Sequence, residues 1–236
     1  MKNTKFLLII VGLLLIQLSA LNAQGTMVVE SEAILSKLRL NKGIEGNVSV
    51  SYSSIDGDPY IFKDFQKGRL VLNSGETAEV DMRYDISANE MHMKYNNQIY
   101  AIFHPEKVKL IEAGNLKFIY SKYLKSEKDE TPKEGSYFIV KTDGKCKLLI
   151  KKNIRIQDAE LPKPLQDAKP AKFIPTNDTY YLKLDNESAV RVRNKNEVLA
   201  VMEDKKAEIE KYISSNKSDI KNIKDLDKII TFYNGL

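Results

Sequence analysis

The feature that most constrains the fold is a change of hydrophobic period near residue 47. From there to residue 156, apolar residues recur at every second position, and turn residues interrupt the run every eight to twelve residues or so. Period two belongs to a strand with one buried face, and short strands so spaced build antiparallel sheets. Val48-Ser49-Val50-Ser51-Tyr52 alternates up to the turn Asp56-Gly57-Asp58-Pro59. Ala78, Val80, Met82 and Tyr84 share one face, and Met91, Met93 and Tyr95 share another. Asn96-Asn97 then has the composition of a two-residue hairpin turn. Thr142-Asp143-Gly144 joins an alternating run at 136–140 to one at 146–150. Roughly nine or ten short antiparallel strands result, enough for a barrel, a sandwich or a curved half-barrel.

The pattern changes again after residue 157. Pro162, Pro164, Pro170 and Pro175 exclude a helix and predict an extended linker over 158–176. A hairpin follows around Asp185-Asn186, and Asn196 then introduces helical spacing in Val198, Leu199, Met202, Ile209, Tyr212 and Ile213. A second helix has Asn222 as its cap, with Leu226, Ile229, Ile230 and Tyr233 on one face. Two short amphipathic helices must bury their stripes on the sheet or on a partner. The expected fold is therefore α+β and β-rich: an antiparallel meander over 47–157, then a hairpin and two short C-terminal helices over 177–236.

The N-terminus carries the clearest address. Lys2 and Lys5 precede an apolar run from residue 6 to residue 18, and Ser19-Ala20-Leu21-Asn22-Ala23 ends it with small residues. That is a secretory signal peptide over 1–23, too short to span a bilayer as a helix. Residues 24–46 are read as an arm or a weak amphipathic helix. No second apolar stretch of spanning length follows, so no transmembrane segment is expected after cleavage. Lys and Arg total 37 against 32 Asp and Glu, a formal charge of +5 that falls to about +3 without the leader lysines. That charge is too small and too dispersed for a nucleic-acid partner. The lysines of the C-terminal helices alternate with acids, as on a solvated face.

The single cysteine, Cys146, excludes an intramolecular disulfide and any all-cysteine metal site. It alternates with Leu148 and Ile150, which makes it a small core residue on a strand. Four Asn-x-Ser/Thr sites, at Asn47, Asn177, Asn186 and Asn216, carry no glycan if export is bacterial, as the lysine-rich, disulfide-free composition suggests. His92 sits between Met91 and Met93 on the opposite, polar side of its strand, and His104 precedes Pro105 at a strand end. Neither has metal-ligand spacing, and Asp56-Gly57-Asp58 lacks the further ligands of a calcium loop. Serine-hydrolase elbows, phosphate loops and dinucleotide fingerprints are absent, so no catalytic residue, metal or cofactor is implied. Tryptophan is missing, and no pair of the 32 acids stands in an aromatic context; the 12 tyrosines sit mostly at alternating core positions.

Several segments are similar to a group of exported proteins of Gram-negative bacteria. They are the hairpin YFIVKTDGKCKLLIKK at 137–152, the proline-spaced PKPLQDAKPAKF at 162–173 and the helical ending at 204–236. Lys67-Gly68-Arg69 and Met82-Arg83-Tyr84-Asp85 also resemble that group. The resemblance implies a periplasmic or cell-surface location and carries no catalytic residue. The reading it leaves is a non-enzymatic binding or interaction module whose partner is another envelope protein. One alternative is a periplasmic carrier of an apolar ligand such as lipid, held on a face of Met82, Met91, Met93, Phe103 and Phe118. The other is a hydrolase with an unrecognised site, which requires His92 or His104 within hydrogen-bond reach of a carboxylate in a cleft.

Overall fold

The computed structural model describes residues 32–34, 36–38, 52–126, 128–162, 164, 167–185 and 187–236. The expected leader, most of the arm and the alternation at 48–51 lie outside the described residues. Among the described residues eleven strands form one sheet. They are β1 (Ile55–Asp56), β2 (Gln66–Leu72), β3 (Thr77–Asp85), β4 (Glu90–Tyr95), β5 (Gln98–Ala101) and β6 (Val108–Ala113). β7 (Leu116–Leu124), β8 (Lys133–Thr142), β9 (Cys146–Gln157), β10 (Ala171–Leu184) and β11 (Ala189–Val192) complete it. The order across the sheet is β1-β10-β9-β8-β7-β6-β2-β3-β4-β5, with β11 paired to both β10 and β7.

The β-rich α+β architecture is the expected one, but the sheet is mixed rather than a pure antiparallel meander. β1 runs parallel to β10 at Ile55↔Ala171, and β11 runs parallel to β7 at Ala189↔Tyr123. Both parallel pairs join segments distant in sequence, and alternation tells which face a residue takes, not which strand it meets. The whole sheet is not a closed barrel. Within it, however, β11 bridges β10 and β7, so β7, β8, β9, β10 and β11 form a ring of bonded neighbours.

Within the proline-spaced stretch Glu160 pairs antiparallel with Lys169, which turns the chain back on itself, and from Ala171 onward it is strand. β10 opposes β9 from Lys172↔Gln157 to Leu184↔Cys146, interrupted by a bulge between Thr176 and Thr179. Pro175 is tolerated because β1 pairs only with Ala171 and Lys172, which leaves the other side of Pro175 at an edge. Asn96 and Asn97 both have positive φ, 48° and 59°, the mirror-image turn that the β4–β5 hairpin needs.

Three buried clusters fill the faces of the sheet. The first lies over β2 to β8 and includes Leu70, Met82, Met91, Met93, Ile111 and Phe118. Ile34 and Leu38, one helical turn apart, close it from the N-terminal side. The second gathers Cys146, Leu148, Leu182 and Val192 beneath three helices: α1 (Lys195–Val201), α2 (Lys206–Asn216) and α3 (Ile223–Asn234). Two helices were expected; a 3-10 turn over Glu203–Lys205 divides the first. At that turn Asp204 accepts a hydrogen bond from the Tyr233 hydroxyl at 2.9 Å and pairs with Lys145, which ties the chain to α3 and the sheet. Asn194, not Asn196, caps α1, accepting from the Glu197 N–H at 3.1 Å; Asn222 caps α3 as expected. Each cap contributes about 1 kcal/mol. The third cluster occupies the inside of the five-strand ring. There Ile119, Tyr123, Phe138, Val140, Leu149, Tyr181 and Ala189 meet from alternate positions of all five strands.

Candidate functional site

The five residues expected to form an apolar ligand face divide between two environments. Met82, Met91, Met93 and Phe118 come together, each at most 1% exposed, with Met82 opposite Met93 across β3 and β4. They fill space rather than line it. Phe103 stands apart, 44% exposed, with its ring edge-on to His104 at 4.8 Å. β5 ends at Ala101 and Pro105 opens a 3-10 turn; Tyr100 and Ile102 take the buried face there, and Phe103 is left outside it.

Phe103 lines a cleft of about 420 Å³ at the mouth of the first core, between the β4–β5 hairpin and strands β7 and β8. Tyr100, Tyr120 and Tyr137 supply aromatic walls, and Glu90 and Glu106 supply carboxylates. Tyr137 stands edge-on to Tyr120 at 5.1 Å and to Tyr84 at 5.6 Å. Gly135 lets the Tyr120 ring lie against the β8 backbone, because a Cβ there would overlap the ring. Asn89, also in the wall, is held in a left-handed conformation at φ 56°. Its side-chain oxygen accepts from the Tyr84 hydroxyl at 3.0 Å, the Ser136 hydroxyl at 2.9 Å and the Tyr137 N–H at 3.3 Å. One side chain thus fixes the start of β4 to β8, and the cleft walls are set before any ligand arrives.

Tyr137 is 2% exposed, yet its hydroxyl has no hydrogen-bond partner among the described residues. An unmet buried hydroxyl costs about 1–3 kcal/mol, so its retention beside a cleft points to a function. Burial, followed by the charges of Tyr120, Tyr84, Glu90 and Glu106, pushes its pKa far up, so it stays a neutral phenol.

Both histidines meet the cleft carboxylates. His92 Nε2 lies 3.2 Å from Glu90 and His104 Nδ1 lies 3.0 Å from Glu106. The sequence places His92 on a polar, open side; in the structure it is wholly buried. The segment at 52–65 folds over that face: Tyr60 bridges to Asp85 and meets the His92 ring at 5.9 Å. Arg83, opposite His92 across the strand pair, stacks 3.6 Å from the Tyr60 ring centroid and 4.5 Å from that of Phe65. Asp85 is also buried and accepts from the Tyr52 hydroxyl and the Ala88 N–H, each at 2.9 Å. This latch holds His92, and His92 holds Glu90.

Cys146 is buried, as its alternation predicts, and burial pushes its thiol up to about 12. No group of three or more His, Cys, Asp or Glu among the described residues is placed to hold a metal. No helix among them is long and apolar enough to cross a membrane. The alternating tyrosines read as core are therefore partly cleft wall. The signal available in the sequence was Tyr137 itself, since a tyrosine at an inward strand position needs a hydroxyl partner. Comparison with protein-family models, with curated proteins and with solved structures returned no match.

Proposed function

We propose that the protein is an exported module of the bacterial cell envelope that binds its target rather than transforming it, with the Tyr100, Tyr120 and Tyr137 cleft as its recognition site. The observation that carries this reading is the buried, unpartnered Tyr137 hydroxyl on a rigid aromatic-walled cleft. Such a group is open to a hydrogen bond that no described residue provides. Export rests on the basic n-region, short apolar run and small-residue end over 1–23. Expressed from Met1, the protein should be recovered from the periplasm or cell surface with Gln24 as its first residue by mass spectrometry. Cytoplasmic retention with residues 1–23 attached would overturn that part.

A hydrolase is the second reading, because two histidine–carboxylate pairs border the cleft. Binding fits better: His92 is sealed from solvent, and neither histidine is among the cleft-lining residues. The test is NMR mapping with a panel of phenyl-bearing fragments and with p-nitrophenyl glycosides, on the wild type and on Tyr120→Ala. Shifts at Tyr100, Tyr120 and Tyr137 that vanish in the variant support the binding site, and shifts confined elsewhere overturn it. Turnover that Glu90→Gln or Glu106→Gln abolishes makes the cleft catalytic and sinks the binding reading.

A further inference from the structure

We infer that the cleft selects an organic cation, an ammonium or guanidinium group carried on an apolar stem. The inference deepens the reading of the cleft as a recognition site and rests on it. Among the described residues lining the cleft, Glu90 and Glu106 are acidic and none is basic, although the whole chain carries a formal charge of +5. An anion entering there meets two carboxylates and the negative faces of aromatic rings. A cation meets attraction from both. Tyr137 adds a hydroxyl oxygen able to accept an N–H, the partner that this group lacks among the described residues.

The protein already seats its own cations in this manner. Arg83 lies over Tyr60 and Phe65, Lys145 over Tyr233 at 4.8 Å, and Lys151 over Tyr123 at 4.6 Å. The cleft sets the same groups, aromatic rings beside carboxylates, around a space of its own. Ile102, Pro105 and Phe103 give the apolar contacts that a hydrocarbon stem would bury. Its volume of about 420 Å³ exceeds what a bare ammonium ion requires. A free amine and the lysine or arginine side chain of a partner protein share this chemistry.

Three probes with one stem and different charge test the selection: phenethylamine, 2-phenylethanol and phenylacetate, titrated by NMR on the full mature chain. Phenethylamine should bind at the cleft at least tenfold more tightly than 2-phenylethanol, with phenylacetate weakest. In Glu90→Gln/Glu106→Gln that advantage should fall below threefold while 2-phenylethanol is unaffected; a melting curve establishes that the variant is folded. Equal or tighter binding of the neutral or anionic probe at the cleft overturns the cation inference and leaves the recognition site intact. No probe moving any cleft resonance overturns both. A hexalysine peptide that binds tenfold more tightly than phenethylamine identifies a protein side chain as the source of the cation. A peptide no tighter than phenethylamine identifies a free amine.

Discussion

Phe138→Ala should destabilise the protein by about 3–5 kcal/mol, the usual cost of emptying a buried phenylalanine site. Phe138 is fully buried inside the five-strand ring, with Tyr181 at 4.9 Å and Tyr123 at 6.0 Å between ring centroids. Those tyrosines stand on β10 and β7, the two strands that β11 bridges. A cavity there cannot collapse by moving one strand, because every wall is bonded to both its neighbours. The loss is large against the 5–15 kcal/mol that a typical domain holds in total. Ile156→Ala, at an exposed position of β9, should change stability by no more than about 0.5 kcal/mol. Urea denaturation of both variants checks this. A Phe138→Ala cost below about 1 kcal/mol would mean that the ring interior is not closely packed.

The ring also explains what was legible in the sequence and what was not. Alternation picked out the core face correctly: Met82, Met91 and Met93 are buried, as their spacing requires. It misjudged His92 because a strand covered on both sides has no polar face, and the cover comes from a segment more than 25 residues earlier, around Tyr60. The turns were readable from local chemistry, as Asn96-Asn97 illustrates. The closure at β11 was not, since the pairing of Ala189 with Tyr123 depends on where the chain returns. The cleft was invisible for the same reason. Glu90, Tyr100, Glu106, Tyr120 and Tyr137 are scattered over nearly fifty positions, and the β7–β8 pairing that sets Tyr120 opposite Tyr137, with the β4-to-β8 tie through Asn89, assembles them.

The same buried side chains make the protein sensitive to alkali. Cys146 is raised to about 12 by burial, and Tyr84 is raised by burial and then by the charge of Asp85. Tyr137 is raised by burial before its neighbours' charges act. In the unfolded chain these groups ionise near 9.0 for the thiol and 10.0 for the phenols. A group whose folded pKa is raised binds its proton more tightly in the native state. Its stabilising effect is complete below the unfolded pKa and drains away as pH climbs above it. Each such group costs about 1.4 kcal/mol per pH unit once its unfolded form has ionised. Between about pH 8 and pH 11 the three together should remove on the order of 5 kcal/mol, enough to bring a domain of ordinary stability close to its midpoint. The thiol acts first, so Cys146→Ala should flatten the decline between about pH 9 and pH 10 and leave the steeper fall above pH 10 in place. Urea midpoints measured across that range decide the matter. A wild-type curve flat to pH 11, or a Cys146→Ala curve parallel to it from pH 9 to 10, would show that these groups reach solvent in the native state.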